Sequence, residues 1–295
     1  MEYPEKINLH IVKRIVQSGA HIFRRDLSNS ALRYKKYPGA AREICRLIIA
    51  DRWNGTFFEG GSTLFDNQFW IRDFSLSLEG IISLGFGDQA KQNLAWAMDI
   101  YRDNGHIGTT ILGKDSVVDF WEFSADSLPW LLRSIKISHH LPLAKKHKDF
   151  LNGEIKKYLD RVFDPGTKLV KLEKFSTPKD VIIRRGTCVA NCFMILLKKL
   201  LENDYPYLFN PFENIDLIDP FVKAFWVSEK GYFRNDIQDD DDFISADANV
   251  VPYWLGIVKD PLMHKSSIDA VRREGLDKPF PLKYHSFLNS SWVHW

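Results

Sequence analysis

The chain has 295 residues, 45% of them hydrophobic, with 40 basic against 38 acidic side chains and a formal net charge of +2. That length and apolar content can bury a sizeable core, which excludes a disordered tail, and the balanced charge excludes a dedicated nucleic-acid binder with its basic excess. The aromatic load of 21 Phe, 10 Tyr and 9 Trp exceeds what such a core needs and points to a cleft with flat apolar walls.

At the N-terminus, Met1-Glu2-Tyr3-Pro4-Glu5-Lys6 shows no basic segment leading into an apolar one, so no signal peptide is read there. No apolar run approaches the roughly 18 residues that span a bilayer. The three cysteines, Cys45, Cys188 and Cys192, are too few and odd in number for a disulfide framework. A soluble cytoplasmic protein with no membrane partner is the expectation. Cys188 and Cys192 sit four apart in an apolar stretch and read as small buried residues on one helix face. No Cys or His follows at zinc spacing, so neither a metal nor a cofactor is expected.

Apolar spacing and punctuation predict helices at 8–24, 38–52, 73–84, 88–103, 126–139, 144–162, 187–202, 212–227, 246–258 and 262–274. Asp73 is placed to cap the third of these, and Asp260-Pro261 opens the last. Small hairpins fit at 163–184, around the turn Asp164-Pro165-Gly166, and at 231–238. The segment with Gly105, Gly108, Thr109, Thr110 and Gly113 reads as a flexible loop without a specific signal. Apolar helices alternate with charged ones, as an inner ring wrapped by an outer ring requires. No Gly/Ser/Pro-rich linker interrupts the pattern, so one all-α domain over 1–295 is expected.

Four segments carry possible chemistry. Asn67-Gln68-Phe69-Trp70-Ile71-Arg72-Asp73-Phe74 puts aromatics, a cation and a carboxylate just before an inner helix. Arg72 and Asp73 suit charge-assisted hydrogen bonds to several hydroxyls, and Trp70 suits stacking on an apolar sugar face. Equally, Asp73 is a helix cap with Arg72 as its ion pair. Asp119-Phe120-Trp121-Glu122-Phe123-Ser124-Ala125-Asp126-Ser127 brings Asp126, with Trp121 and Glu122 nearby, to the start of another inner helix. Asp126 there suits a general acid or, again, a cap. The run Asp239-Asp240-Asp241-Asp242 lacks the spacing of a calcium loop, and Asp247 and Asn249 at the next helix start are better candidates. The chain ends in Lys283-Tyr284-His285-Ser286-Phe287-Leu288-Asn289-Ser290-Ser291-Trp292-Val293-His294-Trp295, an aromatic cluster of the same kind.

Together these segments resemble the glycoside hydrolases built as a six-hairpin (α/α)6 toroid: glucoamylases, the α-1,6-glucosidase part of glycogen-debranching enzymes, and neutral/alkaline invertases. Phe69-Trp70-Ile71-Arg72-Asp73-Phe74 resembles their aromatic-x-Arg-Asp motif, which implies that Arg72 and Asp73 hold the sugar in the cleavage subsite. Asp126-Ser127 followed by Leu128, Trp130, Leu131 and Leu132 is similar to the Asp-Ser segment of the invertases and implies that Asp126 is the general acid. Tyr284-His285 with Ser291-Trp292 is similar to the Tyr-His-Asn-Gly-x-Trp-Pro segment, which implies that Tyr284, His285 and Trp292 line the same rim. The resemblance covers roughly 40–295. It departs at Ile183-Arg184-Arg185-Gly186-Thr187, where several relatives carry a Glu. It also implies a general base beyond the Tyr-His…Trp segment, and hence a toroid left incomplete at the C-terminus of this chain.

The function implied is inverting hydrolysis of a glucose-containing oligosaccharide or polysaccharide, with a carbohydrate as the partner. A non-catalytic or truncated carbohydrate-binding relative is the alternative. An all-α isoprenoid cyclase is a further one, since Asp239 to Asp242 satisfies a permissive Asp-x-Asp-Asp pattern; it leaves Arg72-Asp73 without a role.

Overall fold

The computed structural model describes residues 37–60, 66–119, 122–176, 185–237 and 244–278. The helix expected at 8–24 lies outside these residues, as do Asp239 to Asp242, Trp121, Tyr284, His285 and Trp292. The expected all-α architecture is present: helices dominate, and the strands are two or three residues long. The chain divides into two compact units, one made of Met1–Phe120 and Trp130–Phe150, the other of Trp121–Pro129 and Leu151–Trp295.

In the first unit, α1 (Ala41–Arg52) is followed by β1 (Gln68–Trp70), α2 (Ile71–Ser83), α3 (Gly87–Asn104), β2 (Thr110–Leu112) and β3 (Ser116–Val118). Ile71, Phe74, Leu78 and Ile81 recur every three or four residues and bury one face of α2. Asp73 does not cap this helix. β1 runs straight into α2, so that the cap position falls to Trp70, which makes no side-chain cap bond. The Ile71 N–H instead donates to Thr109 O at 3.3 Å, and Asp73 sits inside the first turn, where negative charge suits the helix dipole.

Residues 105–113 are no loose loop. Gly105 takes the left-handed conformation that ends α3 (φ 74°). The chain then forms the fully buried strand β2, which pairs antiparallel with β1 (Phe69 with Ile111) and with β3 (Ile111 with Val117). The strands have three residues each, too few for an alternating pattern to register in the sequence.

The helix α4 (Ser127–Ile137) comes next, followed by α5 (Leu141–Lys146) and α6 (Lys148–Val162). The single helix expected at 144–162 is thus two, parted at His147.

The second unit repeats one module. From α6 the chain enters a hairpin, β4 (Phe163–Asp164) and β5 (Leu169–Val170), and then α7 (Cys188–Asn203). Next, α8 (Ile218–Phe225) leads through β6 (Trp226–Val227) and β7 (Tyr232–Phe233) into α9 (Ala246–Trp254), followed by α10 (Pro261–Arg273). The Asp164 carboxylate closes the first hairpin, accepting from Gly166 N at 2.9 Å and Thr167 Oγ1 at 2.7 Å. The second hairpin starts at Trp226, earlier than the expected 231–238, and α8 starts only at Ile218, where Asp216 accepts from its N–H at 2.9 Å.

In both modules the fourth residue of the apolar helix is a fully buried asparagine that grips the preceding hairpin. Asn191 Oδ1 accepts from Val170 N at 2.9 Å, and Asn249 Oδ1 accepts from Phe233 N at 2.8 Å. Each Nδ2 donates to the carbonyl four residues back, Thr187 O and Ser245 O, both at 2.9 Å. Asp260 caps α10 as expected, accepting from Leu262 N at 2.8 Å and Met263 N at 3.1 Å. Cys188 and Cys192 are buried on α7, and the Cys188 thiol donates to Ala248 O at 3.7 Å. No helix among the described residues is long and apolar enough to cross a membrane.

Candidate functional site

A cavity of about 240 Å³ opens in the first unit beside the start of α2. Trp70, Phe58 and Phe74 give it apolar walls, while Asp73, Arg52, Glu59 and Ser77 supply polar groups. Trp70 and Asp73 therefore both line this cavity. Arg72 falls between them in sequence, but its side chain is buried, 5% exposed, whereas Asp73 is exposed.

The walls are built, not incidental. The Trp70 indole N–H donates to Gln68 Oε1 at 3.0 Å. Its ring lies against Gly60, where any Cβ would stand 2.7 Å from Trp70 Cδ1, so the close approach requires glycine. Phe58 is tied by its N–H to Asn93 Oδ1 at 2.8 Å and packs against the Trp53 ring with centroids 4.9 Å apart. Arg52 is held by Asp66 at 2.9 Å, and the Glu59 N–H donates to Arg52 O at 2.9 Å. Pockets for drug-sized ligands run from about 300 to 1,000 Å³; this smaller one suits a single polar ring with an apolar face. Sequence reasoning missed Arg52, Glu59 and Ser77, which carry no motif and reach the cavity only through folding.

The second group surrounds Asp126 in the second unit. Asp126 is fully buried, with no exposed surface. Its Oδ1 accepts from the Ser124 hydroxyl at 2.8 Å. Ser124 Oγ is also 2.6 Å from Ser127 Oγ and accepts from Ser127 N at 3.3 Å. Behind them, the buried Tyr158 of α6 donates its hydroxyl to Ala125 O at 3.0 Å. Burial first, and the nearby Asp126 second, push the Tyr158 phenol well above its ordinary value. The strand-like stretch is anchored to Ser176, whose N–H donates to Phe123 O at 3.0 Å. Glu122 is half-buried just upstream.

Asp247 is half-buried at the second position of α9. Its Oδ1 accepts from the Ser245 hydroxyl and from Ala248 N, the latter at 2.9 Å. Among the described residues no group of three His, Cys, Asp or Glu is placed to hold a metal ion.

The chain matches no protein-family model and no curated protein. Among solved structures it is similar to a Glu-to-Ala variant of a glycosidase, with a TM-score of 0.59, 13% identity, and coverage of 95% of this chain and 75% of that one. Another Glu-to-Ala glycosidase structure, in complex with glucose, gives a TM-score of 0.55 at 13% identity over the same shares. A rhamnosidase from Klebsiella oxytoca with rhamnose bound gives 0.54 at 14% identity, covering 81% of this chain and 50% of that one. The fold is therefore one that glycosidases use.

Proposed function

We propose that the protein is a glycoside hydrolase of the six-hairpin, glucoamylase-like kind, cleaving a glucose-containing oligosaccharide or polysaccharide by acid/base chemistry with inversion. The observation that carries this reading is the cavity at the start of α2, in a chain with the fold of glycosidases over 95% of its length. A sugar ring has an apolar C–H face and a rim of hydroxyls. Trp70 supplies a flat wall for the first, and Asp73, Glu59, Arg52 and Ser77 supply charged and polar partners for the second. Arg72 is proposed to hold the sugar in the cleavage subsite together with Asp73, by the resemblance of their motif. Asp126 is the proposed proton donor to the leaving oxygen, by the resemblance of Asp126-Ser127 to the invertase segment. In an inverting enzyme a second carboxylate activates water about 6.5–9.5 Å away. Glu122, Asp247, Trp121, Tyr284, His285 and Trp292 are proposed as further contacts to the substrate. With only three cysteines, the chain suits work in a reducing cytoplasm.

The test is release of monosaccharide from maltose, isomaltose, trehalose and sucrose, with the first-formed anomer read by NMR. Glucose release with inverted anomeric configuration is expected from at least one of them, and Asp126→Asn is expected to stop it. The complete burial of Asp126 favours a second reading, a non-catalytic carbohydrate-binding relative. Glucose or maltose binding that Trp70→Ala and Asp73→Ala abolish, without hydrolysis of any substrate, would establish it.

A further inference from the structure

Resting on the reading of the α2 cavity as the sugar site, we infer that it takes a further class of substrate, glucosides of apolar alcohols, with the sugar at one end and the alkyl or aryl group at the other. The two long walls of the cavity are α1 and α2. Arg42, near the start of α1, donates from Nη2 to Ser83 O at the end of α2, at 2.7 Å. At the opposite end, the Glu59 N–H donates to Arg52 O at 2.9 Å and the Gly60 N–H to Gln68 O at 2.8 Å. These bonds tie the last residue of α1 to the strand that enters α2. The helices therefore lie antiparallel. Ten residues separate Arg42 from Arg52, and ten separate Asp73 from Ser83, about 15 Å of rise in each helix. Arg52 and Asp73 thus stand at one level.

From that level the lining changes character. Arg52, Glu59 and Asp73 gather at the first end. One helical turn on, at about 6 Å, come Ile48 and Ser77, with Ile49 beside them, and at about 12 Å comes Ile81. Phe58 and Phe74, with ring centroids 6.3 Å apart, add further apolar surface. Ile48 stays 37% exposed and no residue of α1 is buried, so the apolar end has surface left to cover. A second sugar ring laid there would set hydroxyls against walls whose side chains offer one polar group, Ser77. The backbone cannot help, because the N–H and C=O groups of helix interiors are already spent within the helix. Hydroxyls stripped of water without partners are costly, whereas a hydrocarbon chain gains by leaving water. Hydrolysis of such a glucoside breaks the bond between C1 and the glycosidic oxygen. Water supplies the hydroxyl at C1 and, in net, the proton on the released alcohol.

The experiment titrates the full chain calorimetrically with methyl glucoside, hexyl glucoside and maltose, both anomers of each glucoside, below micelle-forming concentrations. Hexanol and glucose release from hexyl glucoside are followed alongside glucose release from maltose. A fully buried methylene contributes about fourfold in affinity, so five added methylenes, partly buried, are expected to tighten Kd by roughly tenfold to a hundredfold. Hexanol and glucose are expected in equal amounts. Ile48→Asn and Ile49→Asn, at positions that are not buried, are each expected to cut that preference about fourfold or more while the Kd for methyl glucoside holds. If hexyl glucoside binds no tighter than methyl glucoside, or both isoleucine variants keep the full preference, the inference is overturned and the sugar site stands. Cleavage of maltose but not of hexyl glucoside overturns it in the same way. If neither glucoside nor maltose binds, or Trp70→Ala leaves their binding unchanged, the sugar site itself is lost and the inference falls with it. Binding of all three with cleavage of none removes the hydrolase reading, and with it this class of substrate.

Discussion

Two helix starts carry the same triplet, Ser124-Ala125-Asp126 before α4 and Ser245-Ala246-Asp247 at α9, and the same hydrogen bond forms in each, from the serine hydroxyl to the aspartate Oδ1. Yet Asp126 is wholly enclosed and Asp247 is half-buried. The difference lies in where the helix starts. α4 begins after Asp126, at Ser127, so the aspartate lies in an extended stretch pinned by Ser176 and Tyr158. α9 begins before Asp247, at Ala246. That carboxylate sits in the first turn, accepts from Ala248 N and faces the positive end of the helix. A short local motif thus dictates a hydrogen bond over two residues, while a difference of two residues in where the helix starts goes with the difference in how far the carboxylate is buried.

The sharpest test of that contrast is to remove each charge without changing shape. Asp126→Asn keeps an oxygen for Ser124 but has no proton to give, and a positioned proton donor contributes about 10²–10⁴ in rate. A fall of about a thousandfold in kcat is expected. Asp247→Asn is expected to leave kcat intact and raise KM about tenfold, the equivalent of one charge-assisted hydrogen bond of about 1.5 kcal/mol. Steady-state kinetics of glucose release from maltose and isomaltose read both. The reverse ranking would move the acid from α4 to α9.

How far this was legible in the sequence follows the range of each interaction. The α7 helix was plain because Cys188 to Leu201 is nearly all apolar and buried around most of its circumference. The Asp164 turn and the Asp260 cap were plain because each is closed within three residues. The motif that holds Trp70 and Asp73 is visible in the sequence, whereas nothing local marks Arg52 and Glu59, which line the same cavity. The Tyr158 bond to Ala125 spans 33 residues, beyond the reach of any periodicity. The asparagine clamps left a readable trace that went unused: Thr187-x-x-Ala190-Asn191 and Ser245-x-x-Ala248-Asn249 are the same pattern.

Those clamps carry the next expected effect, on stability. Asn191→Ala orphans the buried Val170 N–H, and Asn249→Ala orphans the Phe233 N–H and also removes a donor from Phe233 O. An unsatisfied buried polar group costs about 1–3 kcal/mol. Urea denaturation is expected to show a loss of about 2 kcal/mol for Asn191→Ala and a larger one for Asn249→Ala. Because Asn249 follows Asp247 by two residues while Asp126 has no such neighbour, Asn249→Ala is also expected to raise KM. Equal losses and an unchanged KM would show that the clamp at α9 serves the hairpin alone.

The smallest expected effect concerns the tyrosine behind each helix. Tyr158 is held well above its ordinary value of 10.0, chiefly by burial and then by Asp126. Tyr253 on α9 is pushed up to about 12, again chiefly by burial, against a hydroxyl contact with Ser267 at 2.9 Å that lowers it. A group whose value is raised on folding stabilises the folded state below its unfolded value, and that contribution is lost as pH rises beyond it. For Tyr253 the loss runs from pH 10 to about 12; for Tyr158 it begins at 10 and continues higher. Tyr158→Phe costs about 1 kcal/mol at neutral pH, for the lost bond to Ala125. Above pH 10 its stability is expected to decline less steeply than that of the wild type, and the gap between them to close. Tyr253→Phe is expected to flatten the decline only over its narrower window. Parallel alkaline decline in the wild type and Tyr158→Phe would mean that this phenol is not shielded in the folded protein, and the enclosure that separates Asp126 from Asp247 would be looser than the geometry gives.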